Sequence, residues 1–201
     1  MLVALLAACG AQVAAEHQAV EVRDGDVCAV CGMYLRDSPG PRGEAWVNGE
    51  PKPLVFDSIR DFFAWVLQPE HQHTAGSLYV QNSALIDWRH PTGAAASFID
   101  ARRAFYVAWQ PLPGSMGATL APFADRAAAD GFVAKHGGAV LTFAQVTPDL
   151  VASLDRQCPP AGPGAAPACH APPAGGTSTP EMDMTTPADA MAPLPAHQVS
   201  P

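Results

Sequence analysis

A helical repeat of apolar residues marks residues 58–67. The apolar positions fall at i, i+3, i+4, i+7 and i+8 and form one stripe along a helix: Ile59, Phe62, Phe63, Val66 and Leu67. Ser58 and Asp61 have the spacing that is typical of a helix start, and Pro69 prevents the helix from continuing. The pattern therefore predicts one amphipathic helix over this segment.

A second helix is predicted over residues 125–136. Asp125 can cap its first turn, and the pair Gly137-Gly138 can end it. The helical spacing of its inward face recurs in Ala129, Phe132, Val133 and His136.

Strand patterns surround both helices. Two short apolar segments, residues 44–47 and 53–56, flank the turn Asn48-Gly49 and are typical of a β-hairpin. Further strands are predicted at 77–81, 104–110, 118–123 and 139–146, with another short one at 97–99. The order strand, strand, helix, strand occurs twice. We therefore predict an α+β fold of two similar ββαβ units, in halves 24–85 and 97–151 of one domain that spans 24–156.

Composition separates this part from the C-terminal end. Eleven of the 21 prolines lie between positions 159 and 201, and that stretch has no aromatic residue. It cannot bury enough apolar surface to offset the entropy of ordering, so we predict that residues 157–201 are disordered. The chain has a net charge of −8 and no basic cluster, which argues against nucleic-acid binding.

The N-terminus indicates export. Residues 1–8, MLVALLAA, are apolar but too few to span a bilayer. Their last three residues and Cys9 read Leu-Ala-Ala-Cys, which resembles a bacterial lipobox. The resemblance implies that residues 1–8 are a signal segment, that Cys9 is lipidated, and that residues 9–23 are a tether. Gly10 stands where an inner-membrane retention signal has Asp, which favours the outer membrane. Outside the cytoplasm, disulfides are possible.

The most specific chemical signal is Cys28-Ala29-Val30-Cys31-Gly32-Met33. It places three sulfur side chains within six residues. Thiolate and thioether ligands together select Cu(I), whereas zinc sites use cysteine, histidine and carboxylate but not methionine. Gly32 lets the backbone bend around an ion. The motif therefore favours a copper site that includes Cys31 and Met33.

Three other interpretations of Cys28 and Cys31 stay open. The pair can be a redox dithiol, although that motif normally opens a helix and Gly32 predicts a loop here. It can form a structural disulfide. It can also belong to a zinc site that is completed from the C-terminal segment, by Cys158, Cys169 and His170. A thiol-disulfide oxidoreductase and a zinc-stabilised lipoprotein module are the corresponding alternative functions.

The chain resembles the NosL family, the copper-binding accessory lipoproteins of nitrous oxide reductase, over residues 24–151. The resemblance includes the cysteine motif, the lipobox and a series of short matches along the domain: Pro39-Gly40-Pro41, Phe62-x-x-Trp65-x-Leu67-x-Pro69-Glu70, Leu78-Tyr79-Val80, Ile99-Asp100-Ala101, Tyr106-Val107, Gly114-Ser115-Met116-Gly117, Pro122-Phe123 and His136-Gly137-Gly138. It implies two ββαβ units that resemble the metal-binding part of organomercurial lyases.

The resemblance also implies a function and a ligand set. The expected function is that of a Cu(I) chaperone, not an enzyme, which delivers copper for the maturation of nitrous oxide reductase at the periplasmic face of the envelope. The expected partners are an ABC-type transporter with its periplasmic protein, or the reductase itself. Cys31 and Met33 are the ligands that the resemblance implies, and it leaves a further ligand open. Met116, in a loop between Gly114 and Gly117, is the first candidate for that ligand, and Cys28 and His136 are weaker candidates.

Other soft or nitrogen ligands have less support. His71 and His73 lie in a loop and are typical of solvated histidines. The C-terminal segment contains Met182, Met184 and Met191, half of the six methionines. These thioethers either bind Cu(I) or are a compositional accident, and the family resemblance does not extend to them.

Overall fold

The computed structural model describes residues 17–156. The predicted signal segment, the lipidation site Cys9 and the predicted disordered segment 157–201 lie outside the described residues. Among residues 17–156, no helix has the length and apolar character that a bilayer crossing requires.

The first half of the domain is a sheet with one helix against it. Strands β1 (Gly43–Val47), β2 (Leu54–Phe56) and β3 (Ala75–Gln81) and helix α1 (Ile59–Val66) follow in the predicted order, and a fourth strand, β4 (Phe98–Asp100), pairs with β3. The sheet order is β2-β1-β3-β4 and all its pairs are antiparallel.

The β1–β2 hairpin forms as predicted, but its turn differs from a tight two-residue one. The Glu50 N–H donates to the Val47 carbonyl at 3.0 Å, and only Gly49 has a positive φ, of 89°. These features indicate a type II turn, whereas the tight hairpin turn of type I′ needs positive φ at both central residues. Pairing resumes at Leu54. Pro51 and Pro53 precede it and have no N–H to donate, which explains the longer loop.

The second half repeats this plan. Its sheet consists of β5 (Phe105–Ala108), β8 (Ala121–Phe123) and β9 (Ala139–Thr142), with α2 (Arg126–His136) between β8 and β9 in sequence. A separate two-stranded hairpin, β6 (Pro113–Gly114) and β7 (Gly117–Ala118), interrupts the region where a single strand 118–123 was expected. Within residues 17–156, helix α3 (Pro148–Ser153) is the last element. Three short 3₁₀ segments are also present in this range: Leu35–Asp37, Ala95–Ser97 and Phe143–Gln145.

The topology confirms the predicted duplication. In each half the first strand is central and the second and third flank it: β2-β1-β3 and β8-β5-β9. Each helix also begins at an equivalent capped residue. The Ser58 side chain accepts a hydrogen bond from the Asp61 N–H, and the Asp125 side chain accepts one from the Ala128 N–H. Both caps follow the end of the second strand by two residues, so the two halves correspond residue for residue at this point.

One hydrophobic core joins the two halves. Phe62 and Phe63 of α1 are fully buried, and the Phe63 ring meets that of Tyr106 of β5 edge to face at 5.0 Å. Leu150 and Val151 of α3, and Leu154 directly after it, belong to the same core. The halves are therefore fixed to each other by shared apolar packing, which a binding site between them requires.

Residues 17–23, which the sequence analysis assigns to the tether, pack against the first sheet. The Trp46 indole N–H donates to the Gln18 carbonyl at 3.1 Å, and the Val20 N–H donates to Glu44 at 3.1 Å. Val22 is buried in one cluster with Cys28, Leu35 and Phe98. This segment therefore forms part of the wall behind Cys28.

Candidate metal site

A reverse turn holds the cysteine motif. The Cys28 N–H donates to the Met33 carbonyl at 2.9 Å, the Gly32 N–H donates to the Cys28 carbonyl at 2.9 Å, and Val27 pairs with Tyr34 as an isolated antiparallel bridge. Gly32 has a φ of 72°, which a residue with a Cβ rarely adopts. The glycine therefore allows the bend that brings the two sulfur atoms together.

The turn sets both thiols against two carboxyl groups at the start of α1. The Cys31 thiol donates to Asp57 Oδ2 at 3.2 Å, and the Cys28 thiol donates to Asp61 Oδ2 at 3.5 Å. One donor atom from each of these four residues lies within 4.8 Å of the others. Both cysteines are free thiols in the described structure, so the disulfide interpretation is not the state seen here.

Burial controls the protonation of this cluster. Cys28, Asp57 and Asp61 are buried and Cys31 is half-buried. Loss of solvation raises the pKa of the Cys28 thiol, and it raises that of Cys31 to about 12, with the hydrogen bond to Asp57 and the charge of Asp57 acting in the same direction. Burial and the neighbouring Asp57 also raise the pKa of Asp61. Without a metal ion, the cysteine thiols therefore hold their protons at neutral pH.

These raised pKa values argue against the redox interpretation. Thiol oxidoreductases activate their attacking cysteine by lowering its pKa, usually at a helix N-terminus or beside a cation. Cys28 and Cys31 lie instead in a turn that is followed by a single 3₁₀ turn, and their thiols donate hydrogen bonds to the carboxyl groups of Asp61 and Asp57. Metal binding suits such thiols better, because the cation displaces the protons.

Sequence reasoning missed Asp57 and Asp61. Asp61 counted only as part of a helix-start signal, where an acidic residue is common. Their position in the sequence could have identified them. Asp57 directly precedes the predicted helix, and Asp61 lies beside its apolar stripe, where the helix is buried on nearly all sides. The equivalent residues in the second half are Ala124 and Ala128, so this acidic pair belongs to the first half alone.

The second half contributes the β6–β7 hairpin. Its two turn residues are Ser115 and Met116. Ser115 Oγ lies 3.8 Å from the sulfur of Met33 and 2.9 Å from Ser38 Oγ, and Ser38 Oγ lies 3.4 Å from Asp57 Oδ2. Met33 and the hairpin that carries Met116 thus lie beside the cysteine cluster. Their role as ligands stays a prediction.

Exposed apolar side chains occur on the cysteine turn and on the β6–β7 hairpin. Met33 is 41% exposed and Met116 is 56% exposed. Within residues 17–156, five of the seven large apolar side chains that are exposed belong to the cysteine turn or the facing hairpin: Val27, Val30, Met33, Tyr34 and Met116. We refer to these five residues as the apolar rim.

The histidine candidates are placed elsewhere. His136 ends α2, and its ring contacts Phe132 with centroids 4.4 Å apart. Phe132 packs on the core of the second half. His71 stacks on Trp65 at 3.9 Å, and His73 is exposed. None of these three histidines is in the four-residue cluster.

Comparisons with known proteins agree with the resemblance. The NosL family model matches residues 19–151. The copper-binding lipoprotein NosL of Stutzerimonas stutzeri is 38% identical over 132 residues, which cover 66% of this chain and 67% of that protein. The protein of the same name from Achromobacter cycloclastes is 34% identical over 151 residues, 74% of this chain and 77% of its own. The crystal structure of the copper chaperone NosL from Shewanella denitrificans has a TM-score of 0.62 and 32% identity, with coverage of 66% and 97%.

Proposed function

The chain belongs to the NosL family, and from that premise we propose that it is a copper chaperone that binds one Cu(I) ion outside the cytoplasm. The observation that carries the proposal is the pair of thiols at the bottom of an exposed rim that contains two thioethers. The relatives named above are a copper-binding lipoprotein and a copper chaperone.

The proposed ligands are the thiolate of Cys31 and the thioether of Met33, with Cys28 as a second thiolate and Met116 as a further thioether. Cu(I) is a soft cation and prefers such sulfur donors to carboxylate oxygens. In the metal-free state the adjacent carboxyl groups accept hydrogen bonds from the thiols, and the ion displaces the thiol protons when it binds.

Transfer of the ion requires that one side of the site be open. Met33 and Met116 are the exposed members of the ligand set, whereas Cys28 is buried. An incoming sulfur ligand of a partner can therefore displace a thioether first and the thiolates afterwards. The apolar rim supplies the surface for that contact, since exposed contiguous apolar side chains are typical of interaction sites.

The destination of the copper is the nitrous oxide reductase system. We propose that the protein delivers Cu(I) for maturation of the reductase, through an ABC-type transporter and its periplasmic partner or directly. A lipid anchor at Cys9 would hold it at the periplasmic face, in the outer membrane, because no retention Asp follows that cysteine.

An anaerobic titration tests copper binding. The full chain competes with a chromophoric Cu(I) chelator, beside Cys31→Ser, Met33→Leu and the control Ser83→Ala, which removes a buried hydroxyl without a hydrogen-bond partner. We expect one tightly bound ion in the wild type and the control, near-complete loss in Cys31→Ser, and at least about tenfold weaker binding in Met33→Leu. Undiminished binding in Cys31→Ser would overturn the site.

Delivery needs a cellular measurement. Cells that carry only Cys31→Ser should contain nitrous oxide reductase protein with little copper, while Ser83→Ala cells should contain the metallated enzyme. Equal copper content of the reductase in both strains would contradict delivery, whatever the binding data show.

The acidic pair favours one alternative cation. Two thiolates and two carboxylates are a donor set that zinc also accepts. A zinc-stabilised module would bind Zn(II) tightly, would lose it in Asp57→Asn, and would tolerate Met33→Leu. Copper binding predicts the opposite order, with a larger loss of affinity in Met33→Leu than in Asp57→Asn, because the carboxylate contacts the thiol and is not a proposed ligand. The same variants therefore separate the two functions.

A further inference from the structure

A chain of polar atoms connects Cys31 to Met33 across the junction of the two halves. It runs from the Cys31 sulfur to Asp57 Oδ2 at 3.2 Å, to Ser38 Oγ at 3.4 Å, to Ser115 Oγ at 2.9 Å and to the Met33 sulfur at 3.8 Å. On the basis of the proposed function, we propose that the hydroxyl groups of Ser38 and Ser115 couple metal binding at Cys31 to the availability of the Met33 thioether.

Each serine in this chain has one hydroxyl hydrogen and more than one acceptor. Ser38 can donate to Asp57 or to Ser115, and Ser115 can donate to Ser38 or to Met33. If Ser38 donates to Ser115, then Ser115 donates to Met33. If Ser38 donates to Asp57, then Ser115 can donate to Ser38. The two arrangements of hydrogens exclude each other.

The distances select the first arrangement in the metal-free protein. Asp57 Oδ2 already accepts the Cys31 thiol at 3.2 Å, and the Ser38 oxygen is farther away, at 3.4 Å. The Ser38–Ser115 separation of 2.9 Å is that of an ordinary hydroxyl hydrogen bond. Ser115 therefore donates to the sulfur of Met33 and engages one of its lone pairs.

Metal binding at Cys31 favours the second arrangement. The thiol proton leaves when the thiolate binds the ion, so Asp57 Oδ2 loses that donor. Its other oxygen, Oδ1, is buried without a partner. A buried carboxylate that loses a hydrogen bond is costly, and Ser38 is the adjacent donor that can replace it. Ser38 then turns to Asp57 and Ser115 turns to Ser38. The hydroxyl hydrogen that held the Met33 sulfur is withdrawn, so the sulfur can turn a lone pair toward the ion.

The placement of the two serines supports this role. Ser38 is 2% exposed and belongs to the first half, while Ser115 belongs to the hairpin of the second half. The hairpin is held independently, since the Trp88 indole N–H donates to the Pro113 carbonyl at 2.8 Å. The hydroxyl pair is therefore not needed to keep the hairpin in place and acts as a positioning device for Met33.

A double-mutant cycle on the full chain tests the coupling. The Cu(I) dissociation constant is measured by anaerobic chelator competition for wild type, Ser38→Ala, Met33→Leu and the double variant. We expect Ser38→Ala to weaken Cu(I) binding about tenfold in the wild-type background. In the Met33→Leu background the weakening should be smaller by a factor of at least about three, because that variant has no thioether to release. Ser38→Thr keeps the hydroxyl and should restore binding, and Ser83→Ala should show no coupling to Met33.

Methionine methyl NMR gives a second readout that a merely structural role would not reproduce. With 13C-methyl methionine, Ser115→Ala should shift the Met33 methyl resonance in the metal-free protein and leave it unchanged in the Cu(I)-loaded protein, where the hydroxyl has turned away. The same shift in the metal-free and Cu(I)-loaded states, or no shift in either, would overturn the coupling. It would also be overturned if Ser38→Ala raised the Cu(I) dissociation constant by the same factor in the wild-type and Met33→Leu backgrounds. If Met33→Leu alone leaves the dissociation constant unchanged, the proposed ligand set fails instead.

Discussion

Cys31 has an unusual environment for a cysteine near the surface. It is half-buried, it faces two aspartates, and these conditions raise the pKa of its thiol to about 12. The thiol is thus inert toward most reagents at neutral pH but can still bind a cation that displaces its proton. Such a thiol is better suited to be a metal ligand than a reactive nucleophile.

Alkylation kinetics test this environment. In the metal-free protein, Cys31 should react with iodoacetamide at pH 8 at least about a hundredfold more slowly than a cysteine in a model peptide, because its thiolate fraction is far smaller. The rate should keep rising above pH 9, where a normal thiol levels off. Site-resolved mass spectrometry of peptides measures both.

Asp57→Asn provides the internal comparison. It removes a charge and a hydrogen bond that raise the pKa of Cys31, so alkylation should become severalfold faster. Asp37→Asn, at an exposed aspartate, should have no effect. A normal alkylation rate at Cys31 in the wild type would show that the thiol is not shielded.

Glu44 is the other buried acid of the first sheet. One of its oxygens accepts the Val20 N–H, the other has no partner, and burial raises its pKa to about 7 from an ordinary 4.5. The folded chain therefore retains a proton between these two values that the unfolded chain has lost, so the free energy of unfolding falls as pH rises from 4.5 to 7.

Replacement of Glu44 by glutamine should remove this pH dependence. At pH 5 the variant and wild type should differ little, and at pH 8 Glu44→Gln should be more stable by up to about 3 kcal/mol. Denaturant unfolding at several pH values measures the difference. Parallel pH profiles for the two proteins would mean that Glu44 ionises normally in the folded state.

The first turns of α1 and α2 have the same capping geometry but different side chains around the cap. Ser58 and Asp125 cap α1 and α2 in the same way. The residues around Ser58 are Asp57 and Asp61, which face the cysteines, whereas the equivalents around Asp125 are alanines. The duplicated element therefore carries candidate metal-site residues in one copy only.

Removal of each cap separates stability from metal binding. Ser58→Ala and Asp125→Ala should each lower the free energy of unfolding by about 1 kcal/mol. Only Ser58→Ala should also weaken Cu(I) binding, because the start of α1 positions both aspartates. Denaturant unfolding and chelator competition are measured on the same samples, and a loss of affinity in Asp125→Ala would contradict the asymmetry.

The helices and strands that could be predicted from the sequence are those that residues close together in the sequence determine. The stripe of Phe62 and Phe63 and the capping residues fix the helices, and the repeated order fixes the two ββαβ units. Predicted strand ends were wrong where a single residue redirects the chain. The strand predicted over 104–110 ends at Ala108, because the next residue, Trp109, has a left-handed backbone with a φ of 56°. Asp57 and Asp61 were missed because their partners, Cys28 and Cys31, are about 30 positions away in sequence.

At the scale of the whole molecule, the site lies where the halves meet. The first half supplies the thiols, the acids and Met33, and the second supplies Ser115 and Met116 on a hairpin. The shared core around Phe63 and Tyr106 fixes the position of one half relative to the other. A metal ion bound by these residues would enter and leave at an exposed junction and not through an enclosed pocket.

We expect one Cu(I) ion to bind between Cys31 and Met33. Anomalous diffraction at the copper edge, from crystals of the full chain loaded anaerobically with Cu(I), locates the ion directly. We expect one strong peak at bonding distance from the Cys31 and Met33 sulfur atoms, with Cys28 or Met116 beside it. A peak at His71, His73 or His136, with none at Cys31, would contradict it.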